Sequence, residues 1–187
     1  RATNNTVTGA GASGGAIASV NNGTLNVVDS TLASNSATRA GGAIEANGGT
    51  TSVTNSTLTR NSTGPGPGNG GGLHLTGAGT VAVSGSTVSR NSAAAEGGGL
   101  WNSGTGTMTV TDTNVVANTV AGATADQGGG GLFQEAGASG NLTVSGGTIA
   151  DNTATGAAGS GGGILNDQGT VTVTGTTIAR NTSVRAG

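Results

Sequence analysis

Apolar residues recur along this chain in short alternating runs. Six of them align: Thr24-Leu25-Asn26-Val27, Thr51-Ser52-Val53-Thr54, Thr80-Val81-Ala82-Val83, Thr107-Met108-Thr109-Val110, Asn141-Leu142-Thr143-Val144 and Thr170-Val171-Thr172-Val173. A period of two predicts a strand with one face turned inward. Each run follows a small-residue and aliphatic triplet: Gly15-Ala16-Ile17, Gly42-Ala43-Ile44, Gly71-Gly72-Leu73, Gly98-Gly99-Leu100, Gly130-Gly131-Leu132 and Gly162-Gly163-Ile164. A further short strand follows each run, with Leu32, Leu58, Val88, Val115, Ile149 and Ile178 at equivalent places. Three residues beyond each of these stands Asn35, Asn61, Asn91, Asn118, Asn152 or Asn181. The repeat therefore predicts an all-β, single-stranded parallel β-helix (β-solenoid) of about six coils, each with three short strands and one Asn turn.

Successive Asn residues lie 26, 30, 27, 34 and 29 positions apart, so the variation must fall in loops while the strands keep register. The longest insertions, Gly64 to Asn69 and Val120 to Gln127, both lie between the Asn and the next Gly pair, and one corner of the column carries the decoration. Strands of neighbouring coils pair at about 4.8 Å, which gives six coils a length of roughly 29 Å. Inward files run through Ile17, Ile44, Leu73, Leu100, Leu132 and Ile164, and through Val27, Val53, Val83, Val110, Val144 and Val173. The six Asn residues form an expected structural ladder of side-chain amides. Residues 1–187 read as one domain. The closing stretch from Asn181 to Gly187 parallels Asn35 to Gly41, so the expectation is a segment of a longer chain or a filament subunit.

The Gly-Gly-Ala-Ile and x-x-x-Asn elements resemble the repeats of polymorphic outer-membrane proteins and related right-handed parallel β-helix surface proteins of bacteria. The resemblance covers nearly the whole chain, and it implies a right-handed coil and an extracellular or cell-surface, adhesin-like station. At the position three before the Asn, which the polymorphic outer-membrane repeats often fill with Phe, this chain has Leu, Val or Ile. The likeness is thus to the broad β-helix class.

Composition narrows the core. Of 187 residues 40 are Gly, and Trp101 and Phe133 are the only large aromatics, so the interior must be thin and regular. Charged residues make up 7%, too few for a charge-rich disordered chain. The net charge of −2 with no Lys offers no basic stripe to nucleic acid, and a chain without Cys has neither disulfides nor a thiolate metal site. No apolar run is long enough to span a membrane.

Similar β-helices include pectate lyases and other polysaccharide-cleaving enzymes, whose chemistry needs several carboxylates on one face. Here the eight acids are scattered one or two to a coil, and Asp29 and Asp112, which share a turn position, lie three coils apart. They read as solvated turn charges. The only His, His74, has no second His or Cys for a metal and no triad partner at a telling spacing. Gly9 to Gly14 matches a dinucleotide fingerprint literally, but no helix pattern follows it. The expectation is no enzyme, no catalytic residue, no metal and no cofactor.

Two surface features point to contacts. Outward positions on the first strand read Ala18, Glu45, His74, Trp101, Phe133 and Leu165. His74, Trp101, Phe133 and Leu165 form a candidate binding strip, which is either covered by the chain's own loops or a docking surface. The second strand turns rows of Thr, Ser and Asn outward, similar to the ice-binding face of some β-solenoid antifreeze proteins, although Thr is favoured at any solvent-facing strand position. The expected role is a structural stalk, fibre subunit or adhesin. Its expected partners are copies of itself stacked end to end or further coils of the same chain, with surface glycans as a further candidate. Carbohydrate-binding or polysaccharide-processing activity and ice binding are the alternatives.

Overall fold

The computed structural model describes all residues, 1–187, and contains strands and turns but no helix. Each strand pairs in parallel with the equivalent strand of the adjacent coils, on both sides except at the two ends, which generates four parallel sheets along one column. The first sheet has six strands, Ile17–Ser19, Ile44–Asn47, Leu73–Thr76, Leu100–Asn102, Leu132–Gln134 and Ile164–Asn166. The second also has six, running from Thr24–Val28 to Thr170–Thr174, each of five residues. A third, seven-stranded sheet carries the Leu32 to Ile178 file and begins at Ala2–Thr3.

The fourth sheet was not visible in the repeat pattern. It consists of two-residue strands immediately after each Asn, such as Ser36–Ala37 and Thr119–Val120. The coil thus has four strands, where the sequence suggested three and a turn. A two-residue strand shows no alternation, so periodicity cannot separate it from the turn that precedes it.

Register is kept without a slip. Val83 sits opposite Val53 and Val110, and Leu73 opposite Ile44 and Leu100. The inward aliphatics form one continuous buried core of 20 residues, and a separate small cluster, Ala93, Val120 and Ala154, lies under the fourth sheet. The second strand supplies two core positions per coil, the Val file and the file Leu25, Thr51, Val81, Met108, Leu142 and Val171. One of these is a Thr whose buried hydroxyl oxygen has no hydrogen-bond partner.

Turns are made by residues in the left-handed region. The residue before each ladder Asn has positive φ, at Ser34, Arg60, Arg90, Ala117, Asp151 and Arg180. Glycine is required at one place above all. A Cβ on Gly130 would lie 2.6 Å from Thr153 N and press against the carbonyl of Gly162, so only a bare Cα lets successive coils close to strand spacing there.

Candidate functional site

The Asn file forms an unbroken ladder of seven residues, since Asn5 adds a rung above the six read from the repeat. Each side-chain Nδ2 donates to Oδ1 of the next Asn at 2.8 to 3.0 Å, from Asn5 to Asn181. Its other proton goes to a carbonyl of the preceding coil, as from Asn61 to Leu32 O at 3.1 Å and from Asn118 to Val88 O at 2.9 Å. Oδ1 also accepts the backbone N–H of the Asn above, for example Asn91 N to Asn118 Oδ1 at 2.9 Å. Both protons and both lone pairs of the amide are used, which fixes its orientation and explains how Asn35, Asn61, Asn91, Asn118 and Asn152 can be fully buried.

A second polar ladder runs beside it, at the residue five before each Asn. Ser30 N donates to Ser56 Oγ and Ser56 N to Ser86 Oγ, both at 3.0 Å, and Ser86 N donates to Thr113 Oγ1 at 3.3 Å. It stops at Gly147, which carries no hydroxyl. The signal was present in the sequence as a hydroxyl recurring at one spacing from the Asn.

His74, Trp101, Phe133 and Leu165 do come together, in register on adjacent strands of the first sheet. They do not form an exposed surface. Glu45 and His74 are each 3% exposed, Trp101 5% and Phe133 2%, and only Leu165 at the far end is half-buried. Of the two alternatives for this strip, covering by the chain itself is the one observed. Residues ahead of the Gly pairs reach over it: Trp101 Nε1 donates to Glu96 Oε2 at 2.9 Å, and Arg39 approaches Glu45 Oε1 at 3.8 Å while donating to Ser13 Oγ at 3.1 Å. The rings stack along the column. His74 and Trp101 centroids are 4.1 Å apart, and Trp101 and Phe133 lie 6.1 Å apart and nearly parallel, at 4°.

His74 is also less solitary than its sequence context suggested. Its Nδ1 lies 2.9 Å from Glu45 Oε2 and 3.0 Å from Thr76 Oγ1, and Thr76 Oγ1 donates to Glu45 Oε1 at 2.7 Å. A carboxylate and an imidazole at in-register outward positions were the missed signal. The carboxylate and the hydroxyl meet the same ring nitrogen, so they do not form a relay in which one ring nitrogen takes a proton while an acid holds the other. The Glu96 carboxyl is pushed above its ordinary range. Burial is the largest cause, its bond from Trp101 opposes this, and the negative charges of Glu135 and Asp167 add to it.

Elsewhere the titratable groups stay apart, and no three His, Asp or Glu side chains gather as metal ligands. The remaining ion pair is that of Asp151, held below the usual carboxylate range by the bidentate Arg180 guanidinium at 2.7 and 2.8 Å. The two hollows, of about 370 and 380 Å³, are the end faces of the column, where the core files are seen end on: Ile164 and Ile178 at one, Ile17, Leu25 and Leu32 at the other. The outward residues of the second sheet are exposed or half-buried. Their three rows contain no charged residue and run Thr24 to Thr170, Asn26 to Thr172 and Val28 to Thr174.

Among curated proteins and among solved structures, none matches this chain. A family model described as the right-handed beta helix region matches residues 1–178, nearly the whole of the column. The chain belongs to the right-handed β-helix family.

Proposed function

We propose that this protein is a structural element of the extracellular space or the cell surface, a stalk, fibre segment or adhesin, and that it performs no catalysis. The observation that carries this reading is the Asn ladder, whose seven residues join every coil to the next and whose five inner amides have every donor and acceptor satisfied. Such continuity confers stiffness and resistance to local opening. The two buried ionisable groups, Glu45 and His74, hold each other across one coil junction instead of converging with others on an open cleft, the arrangement hydrolysis would require. The resemblance of the repeats to bacterial surface β-helices supports the extracellular station.

The carbohydrate-binding alternative loses its aromatic platform, because a sugar cannot stack on the buried face of Trp101. The ice-binding alternative retains a specific support in the uncharged, in-register rows of the second sheet. It predicts thermal hysteresis that is lost in Thr109→Lys.

Immunogold electron microscopy of the producing cells, with an antibody to the native column, tests the structural reading. Label on the cell exterior is expected. Label confined to the cell interior, or cleavage of a polysaccharide that is lost in Glu96→Gln, would overturn it.

A further inference from the structure

A column of near-identical coils has a problem of order. The Val file, the Asn ladder and the Gly carbonyl contacts are the same at every junction, so none distinguishes the neighbouring coil from the next but one. With coil 1 ending at Asn35 and coil 6 at Asn181, a chain that loops out coil 3 and stacks coil 2 on coil 4 would keep all of these contacts.

The residues that do not repeat are the ones that differ between junctions. Arg39 bonds Ser13 across coils 1 and 2. Glu45 bonds His74 across coils 2 and 3, and His74 stacks on Trp101 across coils 3 and 4. Coils 4 and 5 are joined by Trp101 on Phe133 and by Asn102 Nδ2 on Gln134 Oε1 at 2.6 Å, and coils 5 and 6 by Asp151 and Arg180. Five junctions thus carry five different contacts. The chain's only His, Trp and Phe are all used in them.

We propose that the covered strip is a key to coil order, in which the unique side-chain pairs Glu45–His74, His74–Trp101 and Trp101–Phe133 select each coil's correct neighbour during folding. The selection is chiefly by penalty. Skipping coil 3 sets the Glu45 carboxylate against the Trp101 ring and removes both of its hydrogen-bond partners, His74 and Thr76, leaving only the Arg39 guanidinium at 3.8 Å, and a buried carboxylate stripped of its hydrogen bonds is strongly unfavourable. Skipping coil 4 places Phe133 on His74 and leaves the partner position of Trp101 to a coil that has looped out. A buried polar pair is a weak source of stability that in some proteins fixes register, and misassembly of like units is a characteristic failure of repeat proteins. This role needs only the column and holds wherever the protein resides.

The chain has no Cys, which makes disulfide reporters unambiguous. Thr80 and Thr107 are in-register partners on adjacent coils, at the strand spacing of about 4.8 Å that a disulfide can bridge. Thr50 and Thr107 are two coils apart, about 9.6 Å, beyond a disulfide's reach unless coil 3 is skipped. Denatured, reduced protein carrying one reporter pair is refolded and then oxidised. The natural strip should give the Thr80→Cys/Thr107→Cys bond and almost none of the Thr50→Cys/Thr107→Cys bond. Levelling the strip with Glu45→Leu, His74→Leu, Trp101→Leu and Phe133→Leu should raise the skipped-coil bond several-fold, while the urea midpoint of correctly stacked molecules stays level or rises. An unchanged skipped-coil fraction would overturn the proposal. If the levelled chain does not fold, the exchange Glu45→His/His74→Glu is compared with Glu45→His alone. The exchange should restore fidelity that the single variant loses, and equal fidelity in the two would defeat the idea.

Discussion

Asn91 Nδ2 donates to Asn118 Oδ1 at 3.0 Å, and Asn91 Oδ1 receives both the backbone N–H and the side-chain amide of Asn61 at 2.9 Å. One side chain therefore serves three coils, because its second proton goes back to Leu58 O at 3.0 Å. Asn91→Ala should leave two donors of Asn61, its backbone N–H and one side-chain amide proton, without partners in a fully buried site, at about 1–3 kcal/mol for each. The expected loss, allowing for relaxation, is about 3–5 kcal/mol in equilibrium urea unfolding. Asn91→Asp keeps the acceptor oxygen but turns a carboxylate on two other acceptors. Its stability should recover as pH falls and the carboxyl gains a proton, and a flat pH profile would contradict the ladder geometry.

Thr51 occupies a core position flanked by Leu25 and Val81, and its buried hydroxyl has no partner. Thr51→Val keeps the shape and removes the unpaired group. It should stabilise the protein by about 1 kcal/mol, read as a higher urea midpoint at unchanged slope.

Glu96 gives a pH dependence whose sign is fixed. Burial raises its folded-state pKa above the ordinary 4.5, so the folded protein binds this proton more readily than the unfolded chain does. Stability from this group should rise as pH falls through the raised value, and the gain should be complete below the unfolded value. It is absent where Glu96 is ionised in both states. Glu96→Gln keeps an acceptor for Trp101 Nε1 and should remove this part of the profile while stabilising the protein at neutral pH. A Gln variant with the natural pH profile would assign the dependence to another carboxyl.

Trp101 is the only Trp, so its emission reports the strip alone. Covered by Glu96 and stacked between His74 and Phe133, it should emit at short wavelength and resist acrylamide, with a quenching constant several-fold below that of the unfolded chain. Quenching as efficient as in the unfolded chain would mean that the strip is open to solvent.

The column itself was legible because its signals repeat. A Val at the fourth position of every second strand and an Asn at every turn can be aligned six times, and stacking like on like follows from the register they impose. What escaped notice was short or relational. The fourth strand has two residues and no period. The burial of Trp101 depends on Glu96 and on loops whose course a strand pattern does not encode. The bond between Glu45 and His74 joins residues 29 positions apart that meet only once register is fixed. The hydroxyl ladder was readable in principle at Ser30, Ser56, Ser86 and Thr113, but Gly147 interrupts it and Ser and Thr are common enough here to hide the recurrence.

The hydrogen bonds that join one coil to the next point along the column. A pull on its two ends therefore loads the junctions one after another, like links in a chain, and the force it bears is that of its weakest link whatever the number of coils. Reach and tensile strength are uncoupled: duplication or loss of a coil would change how far such a molecule extends while leaving the load at which it parts untouched.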